Sequence, residues 1–243
     1  MTAFQGMPYI VMQLDSILSQ LHEEDEVVIS DNGSTDGTME YLRTKAQKDA
    51  RIRIFTFTKA RGVIPNLQNA LINCRGEIIF LSDQDDIWKD GKLDEISRLF
   101  ESNRKLLAVQ GDAEVIDAKG NIMAESFFKL RRCGPGVMKN FTKNTWQGCS
   151  MVFRRSLLPI VLPFPESIPM HDMWIGMIAQ LTGDVLFLPR VLISYRRHED
   201  NQTQMKPAGW RKVIYWRLCL AGGILHKLPQ IRNTRKLLNR GQV

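Results

Sequence analysis

The first half of the chain alternates short apolar runs with segments in which apolar residues recur at helical spacing. The strand-like runs, rich in β-branched and aromatic residues, lie at 26–30, 51–58 and 78–81. The helical segments pass through Leu14, Leu42 and Leu67. The last of them is expected to end at a left-handed Gly76. Because strands that alternate with helices join through right-handed crossovers, the pattern predicts an α/β fold with a Rossmann-like, mostly parallel sheet flanked by helices.

In the second half of the chain, predicted strands and helices alternate less regularly. Apolar spacing predicts one helix at 92–100 and another from His171 to Gly183. Further strands are predicted at 106–116, 149–154, 185–188 and 191–195. The segment 126–144 is basic, contains glycine and proline and has no clear period, so it is expected to be a mobile loop over the site.

The first strand of such a sheet is largely missing from the sequence. Only 1–4 remain of it, and the helix expected to start at Pro8 follows within a few residues, whereas an interior strand normally contains about five residues. Its neighbours would be the strands at 26–30 and 77–83, whose backbone groups would lack partners. We therefore expect that the natural protein begins upstream of Met1 and that the chain as it stands is unstable or inactive.

Composition predicts one folded domain. Of the 243 residues, 44% are hydrophobic and 24% are charged, which are ordinary values for a globular protein. Four widely spaced cysteines, none in a Cys-x-x-Cys pair, predict neither a disulfide framework nor a zinc site, and they favour a reducing cytosol. A secretion signal and a run of 18 apolar residues are both missing from the sequence, so a cytoplasmic location is expected.

The net charge of +7 is concentrated at the end of the chain. Between 207 and 243 there are eight lysines and arginines and no acidic residue, with Trp210 and Trp216 among them. Such a segment is typical of a helix that lies on the inner face of a membrane, and equally of a helix that docks on the domain with a solvated basic face. The sequence contains no recognised nucleic-acid-binding motif, so a nucleic-acid partner is not expected.

The strongest chemical signal lies where the strand at 78–81 runs into Asp83, Asp85 and Asp86. In α/β sheets ligands bind outside the carboxyl ends of strands, and crowded carboxylates repel one another unless a cation relieves them. Mg²⁺ is usually held by one or two carboxylates together with phosphate oxygens, so the triplet predicts a phosphorylated ligand. The alternative is a surface turn that caps the next helix, a role open to Asp86 in particular.

Four motifs in order resemble a known family. They are Asp31-Asn-Gly-Ser-Thr-Asp-Gly-Thr38, Leu81-Ser-Asp-Gln-Asp-Asp-Ile-Trp88, His171-Asp-Met-Trp174 and Tyr195-Arg-Arg-His198, the last continuing to Asn201. The chain resembles the GT-A, family 2 inverting glycosyltransferases, and within them the bacterial branch that includes rhamnosyltransferases of surface-polysaccharide synthesis. Each motif is weak alone, and their order makes the resemblance specific.

The resemblance implies a domain organisation. It extends over 1–203, which would form a GT-A domain with a nucleotide-binding half at 1–117 and an acceptor half at 118–203. The remaining segment, 204–243, would be a basic amphipathic tail.

The same resemblance implies a nucleotide and metal site. Asp31 would accept a hydrogen bond from the base, and Thr2 and Phe4 would line the base pocket, although a turn-capping role for Asp31 is the alternative. The cation, Mg²⁺ or Mn²⁺, would be bound directly by Asp85, with Asp83 near the ribose or a metal-bound water.

The last motif completes the implied site. Arg196 and His198 would lie near the diphosphate, where the arginine neutralises oxygens and the histidine contacts the metal.

Three further positions complete the implied catalytic centre. Asp172 would be the catalytic base, with Glu199 or Asp200 next in line, and its alternative role is helix capping. His171 would orient Asp172 or cover the sugar. Trp146 and Gly148 would shape the donor and acceptor pocket, unless they are ordinary core residues.

The implied reaction moves a sugar from a nucleoside diphosphate sugar to a glycan or lipid-linked acceptor. The branch favours rhamnose, although the donor sugar, base, acceptor and linkage depend on pocket shape. The alternative is an inactive remnant that keeps the fold and the nucleotide pocket.

Overall fold

A computed structural model describes residues 1–198 and 209–241. The strands are β1 (Thr2–Ala3), β2 (Val27–Asp31), β3 (Ile52–Thr56), β4 (Ile78–Phe80), β5 (Ile87–Trp88), β6 (Leu106–Ile116), β7 (Ile122–Ala124), β8 (Met151–Arg154) and β9 (Asp184–Arg196). The α-helices are α1 (Tyr9–Leu18), α2 (Thr38–Ala46), α3 (Val63–Ile72), α4 (Lys92–Ser102), α5 (Phe127–Arg131), α6 (Val137–Thr142), α7 (Leu158–Val161), α8 (His171–Thr182) and α9 (Trp210–Asn239). The predicted boundary at 203 and the candidates Glu199, Asp200 and Asn201 lie outside the described residues.

The strands form two sheets that together give the predicted α/β architecture. The first has the order β1-β2-β3 and is parallel throughout. The second has the order β4-β8-β6-β9-β5, with β7 on β6, and its longest pairing, between β6 and β9, is also parallel. The antiparallel pairings are short. The prediction of a mostly parallel sheet flanked by helices is therefore confirmed.

The strand β4 differs from its prediction as an interior strand of a parallel sheet. It pairs antiparallel with β8, with Ile79 opposite Phe153. Its link to β1 is a backbone hydrogen bond of 3.3 Å from Thr2 to the carbonyl of Ser82. The apolar run predicts that this strand is buried. Its pairing partner, however, is a strand about 70 residues later in the chain, and hydrophobic periodicity does not reveal whether that partner runs parallel or antiparallel.

The first strand contains two residues. Thr2 pairs with Ser30 of β2. The amino group of Met1 donates a 2.8 Å hydrogen bond to the carbonyl of Val28, and burial lowers its pKa. The start of the chain thus packs against β2.

Two boundaries were predicted wrongly. The third helix ends at Ile72, and Gly76 is not left-handed, because the carboxylate of Glu26 binds the backbone there and closes the turn. The strands predicted at 185–188 and 191–195 are one strand, β9. Since Pro189 has no N–H to donate, the register shifts at that point and the strand continues beyond it.

The segment 126–144, predicted to be a mobile loop without period, contains the short helices α5 and α6. The carboxylate of Asp112 accepts hydrogen bonds from the Ser126 hydroxyl and the Phe128 N–H. The buried amide of Asn140 donates to the carbonyl of Met173 in α8. Tertiary side-chain contacts hold this segment, which explains why its sequence lacks a helical period.

The helix α8 is buried nearly all round and packs between the second sheet and α9. The indole N–H of Trp174 donates to the carbonyl of Val161 at 3.0 Å. Leu220, Ile231 and Leu238 on the inner face of α9 belong to the same apolar core. The docked-helix alternative is therefore correct for this face of the C-terminal segment. Among the described residues, no helix is both long and apolar enough to cross a bilayer.

The core contact of α8 predicts opposite effects at two helical glycines. A Cβ on Gly176 would lie 2.3 Å from Nε1 of Trp146, whereas a Cβ on Gly222 in α9 would meet nothing within 4 Å. We expect Gly176→Ala to reduce the free energy of unfolding by about 1–3 kcal/mol through overpacking. Gly222→Ala should leave it unchanged or raise it by up to about 1 kcal/mol. Urea unfolding measures both, and equal effects would contradict the packing described.

Candidate active site

The turn after β2 is organised by Asp31. This carboxylate is fully buried, and its Oδ1 accepts 2.9 Å hydrogen bonds from the N–H groups of Gly33 and Ser34. Gly33 has a φ of 90°, which the turn requires and a glycine adopts without strain. The turn-capping role considered for Asp31 is therefore real, and contact with a nucleotide base stays a prediction.

Side chains of the same turn hold the loop that carries Phe4. Three consecutive N–H groups, of Gln5, Gly6 and Met7, each donate a 2.9 Å hydrogen bond to one of these side chains. Their acceptors are Ser34 Oγ, Thr38 Oγ1 and Asp36 Oδ2 respectively. The loop follows β1 at the carboxyl end of the first sheet, and these side chains supply the acceptors that a neighbouring strand would provide.

Gln84, which lies between Asp83 and Asp85 in the chain, binds the other side of this loop. Its Oε1 accepts from the N–H of Phe4 at 2.7 Å, and its Nε2 donates to the carbonyl of Phe4 at 2.9 Å. Thr2 Oγ1 lies 3.4 Å from Oδ1 of Asp83. The structure thus brings Thr2, Phe4 and Asp83 together, with the Phe4 ring 40% exposed. Sequence reasoning missed Gln84, although its place between two aspartates was the available signal.

The acidic loop after β4 concentrates negative charge. Removal from solvent, followed by the neighbouring charge of Asp85, raises the pKa of Asp83 to about 6. Burial also raises the pKa of Asp86 well above its ordinary value. Oδ1 of Asp86 accepts a 3.0 Å hydrogen bond from the N–H of Arg196, so this carboxylate binds the end of β9.

The donor set of this loop fits a hard divalent cation. Oxygens of Asp83 and Asp86 and the sulfur of Cys149 all lie within 4.8 Å of one another. Burial raises the pKa values of both the Cys149 thiol and the Asp86 carboxyl well above their ordinary values, so a cation bound at this cluster would displace protons from it. Asp85, the predicted direct ligand, is not one of the three residues of this cluster. Carboxylate oxygens suit Mg²⁺ or Mn²⁺, and a cation would relieve the repulsion that raises the pKa of Asp83.

Arg196 lies beneath the acidic loop and is buried. Its Nε donates to the carbonyl of Asp85 at 2.9 Å, and its Nη1 lies 3.2 Å from the carbonyls of Asp117 and Ala118. These contacts support the backbone of the loop from the protein side. A direct contact of Arg196 with a diphosphate stays a prediction.

His198 lies beside Asp85, and its contact with a metal or a diphosphate stays a prediction. Its Nε2 is 2.9 Å from Oδ2 of Asp85, and its ring centroid is 4.9 Å from that of Tyr9. Arg196 at the end of β9 therefore binds the backbone of the acidic loop, and His198, two residues further on, lies against the carboxylate of Asp85.

Asp172 lies in the first turn of α8 and is buried. Its Oδ1 accepts hydrogen bonds from Nδ2 of Asn144 at 2.9 Å and from the N–H of Met173 at 2.6 Å. The helix is preceded by Met170, so Asp172 is not the capping residue itself. Burial raises the pKa of this carboxyl, while His171 and the hydrogen bond from Asn144 lower it. The balance of these effects leaves a carboxylate that is a stronger base than an exposed one.

The pocket residues predicted beside Asp172 occupy different environments. A Cβ on Gly148 would lie 2.5 Å from Nε2 of His171, so the absence of a side chain lets the imidazole lie against the chain. Trp146 is buried and its ring centroid is 4.7 Å from that of Phe187, which is the core-packing alternative.

Solved structures of known proteins share this architecture. S. aureus TarS 1–349, in complex with UDP-GlcNAc, aligns with a TM-score of 0.73 and 18% identity over 97% of this chain and 71% of that one. The mannosyltransferase PcManGT from Pyrobaculum calidifontis, in complex with GDP-Man and Mn²⁺, aligns with a TM-score of 0.63 and 20% identity over 97% and 71%. The fold, together with the aspartates that follow β2 and β4, defines an α/β protein of the GT-A type.

The sequence comparison identifies the family. The model described as glycosyl transferase family 2 matches residues 1–159, and the chain belongs to that family. An Escherichia coli relative, UDP-Glc:alpha-D-GlcNAc-diphosphoundecaprenol beta-1,3-glucosyltransferase WfgD, is 28% identical over 68% of this chain and 62% of its own length. The chain spans less than two thirds of this and other curated relatives that it matches.

Cation binding at the acidic loop is directly measurable. We expect MnCl₂ to raise the thermal unfolding midpoint, because a ligand that binds only the folded chain adds about 2.7 kcal/mol at a concentration of 100 times Kd. Asp85→Asn should lose most of this increase. Asp94→Asn is the matched control, since Asp94 is an exposed aspartate of α4. Equal stabilisation of both variants by Mn²⁺ would place the cation elsewhere.

Proposed function

We propose that the chain transfers a sugar, with inversion, from a nucleoside diphosphate sugar to a hydroxyl of a glycan or lipid-linked acceptor in surface-polysaccharide synthesis, and that a divalent cation is required. The observation that carries the proposal is the proximity of the acidic loop to the first turn of α8. Sγ of Cys149 lies within 4.8 Å of oxygens of Asp83 and Asp86, and a Cβ on the adjacent Gly148 would lie 2.5 Å from Nε2 of His171. In this proposal the carboxylates that hold the cation and the base Asp172 would share one site.

The donor would bind across the ends of β1, β2 and β4. The exposed ring of Phe4 offers a stacking surface for a base, and Thr2 and Asp31 lie at adjacent strand ends. Asp83 and Asp85, with His198 beside them, would hold the cation. When bound, the cation supplies positive charge that stabilises the departing diphosphate.

Asp172 would act on the acceptor. A carboxylate in the interior, with its pKa raised by burial, is suited to accept the proton of a sugar hydroxyl as that oxygen attacks the anomeric carbon. Attack on the face opposite the departing diphosphate is a single displacement, and it inverts the configuration of that carbon. His171, which lies against Gly148, would cover the sugar or orient Asp172.

The similar proteins support this class of donor and acceptor without selecting a sugar. One solved structure contains UDP-GlcNAc, another contains GDP-Man with Mn²⁺, and the E. coli relative is named for transfer from UDP-Glc to a diphosphoundecaprenol-linked sugar. Rhamnose stays the donor favoured by the branch resemblance. A lipid-linked acceptor would place the enzyme at the inner face of the cell membrane.

Two substitutions separate the proposed roles. Asp172→Asn should lower kcat by about 10²- to 10⁴-fold with donor affinity near that of the wild type, because the base is lost and the donor site is kept. Asp85→Ala should weaken donor binding as well as turnover. Release of nucleoside diphosphate and calorimetric donor binding measure the two effects, with the exposed Asp184→Asn as control.

A wild-type rate for Asp172→Asn would remove it as the base and direct attention to Glu199 or Asp200. Donor binding without turnover in the wild-type chain, across a panel of acceptors, would favour the inactive-remnant alternative.

Asn144 should set the pH dependence of the reaction. Its hydrogen bond favours the charged form of Asp172, so Asn144→Ala should raise the pKa of this base. Because the base must be deprotonated, the acid limb of the pH–rate profile should move to higher pH, with recovery towards the wild-type rate at alkaline pH. Asn121→Ala removes an amide from an exposed turn and serves as the control. A uniform loss of rate at every pH would contradict this role.

A further inference from the structure

The helix α9 is positively charged, and the side that does not dock on the domain is exposed to solvent. Between 209 and 241 the sequence has no aspartate or glutamate. Leu220, Ile231 and Leu238 face the core, and Nζ of Lys227 donates to the carbonyl of Leu162 at 3.0 Å. These contacts fix which side of the helix faces outward.

The outward side contains a stripe of two halves. Trp210, Ile214, Leu218 and Leu225 follow one another at steps of four, four and seven residues, the spacing of a single helix face. Each of them is between 52% and 68% exposed.

The same face continues at steps of seven, four and four with exposed basic residues, which are Arg232, Lys236 and Arg240. We call these seven residues the outer stripe, with an apolar half and a basic half.

The apolar half lies beside the candidate active site. Nη1 of Arg217 is 3.3 Å from the sulfur of Met173, the residue that follows Asp172. Nη2 of the same arginine donates to the carbonyl of Thr142 at 3.0 Å. A Cβ on Gly223 would lie 3.1 Å from the ring of Trp174, so α9 and α8 pack closely. The part of α9 that carries the apolar half is therefore packed near the first turn of α8.

We propose that the outer stripe is a peripheral binding surface for an anionic phospholipid bilayer. Four large apolar side chains in line suit insertion at the level of the headgroups, and a tryptophan is favoured there. Three cations on the same face, with no acidic residue in the helix, are complementary to anionic headgroups. A protein partner would need acidic side chains placed to match this row on both sides of Pro229, whereas a bilayer presents mobile negative charge in a plane.

This inference rests on the proposed function in one respect, because membrane binding brings an advantage only if the enzyme uses a lipid-linked acceptor. An enzyme that takes a lipid-linked acceptor gains from having its base beside the bilayer. Binding to vesicles requires no turnover, so the surface can be tested whether or not the chain transfers a sugar.

The test is flotation of the full chain with vesicles of phosphatidylcholine alone, or of three parts phosphatidylcholine to one part phosphatidylglycerol. The wild type should bind the mixed vesicles at low salt and be released by high salt. Arg232→Gln with Lys236→Gln and Arg240→Gln should weaken binding to mixed vesicles on the order of a hundredfold. Ile214→Ser with Leu218→Ser and Leu225→Ser should weaken binding to both kinds of vesicle.

Matched controls remove equivalent groups elsewhere on the surface. Lys48→Gln with Arg104→Gln and Lys119→Gln removes three exposed cations, and Ile122→Ser with Met123→Ser removes exposed apolar groups of β7. Both controls should bind as the wild type does. Circular dichroism and unfolding midpoints confirm that each variant is folded before it is compared.

Trp210 provides a second readout. Its fluorescence should shift to shorter wavelength and be quenched by brominated lipids on binding. Trp210→Phe should remove most of this change, because Trp88, Trp146 and Trp174 are buried and Trp216 is half-buried, whereas Trp210 is 68% exposed.

Binding that ignores phosphatidylglycerol and salt, or stripe variants that bind as the controls do, would overturn the inference. So would dimerisation in sedimentation experiments that the apolar variant abolishes, since a second copy would then cover the stripe. Vesicle binding without any sugar transfer would leave the inference standing and count against the proposed function alone.

Discussion

Confinement of like charges at the carboxyl ends of the strands is the constraint on which the site depends. Asp83, Asp85 and Asp86 lie within four consecutive positions, and burial together with the charge of neighbouring carboxylates raises the pKa values of Asp83 and Asp86. Such a loop stays folded only if its backbone is held by other parts of the chain. Arg196 does this from below, by donating its backbone N–H to Asp86 and its guanidinium N–H to the carbonyl of Asp85.

The polar motifs after β2 and β4 also stabilise the backbone of the site. Ser34, Asp36 and Thr38 satisfy three consecutive N–H groups of the loop that carries Phe4, and Gln84 binds both backbone groups of Phe4. Any ligand contact would therefore be made by a loop that the turn after β2 and the loop after β4 hold jointly. A change in one of these polar side chains would alter the shape of the site as well as its chemistry.

The second half of the site is assembled differently, around a buried helix. The first turn of α8 presents Asp172, and its orientation depends on Asn144 from the segment after α6. On its far side α8 packs against α9 through Trp174 and Gly223. One helix thus connects the candidate base to the basic C-terminal helix, whose inner face is core and whose outer face is charged and apolar.

By itself, the sequence determined the α/β class, the places of most helices and strands, and the loops at which chemistry is concentrated. Apolar periodicity and strand-end polar motifs are local properties, so residues near one another in the chain were sufficient. The tertiary structure decided the antiparallel partner of β4, the single strand β9 across Pro189, and the order within 126–144. It also decided that Trp146 is a core residue and that Arg196 supports the acidic loop. Gln84 holds the backbone of Phe4, and Asn144 orients Asp172. Each of these depends on contacts between residues far apart in the chain, whose energies no local pattern contains.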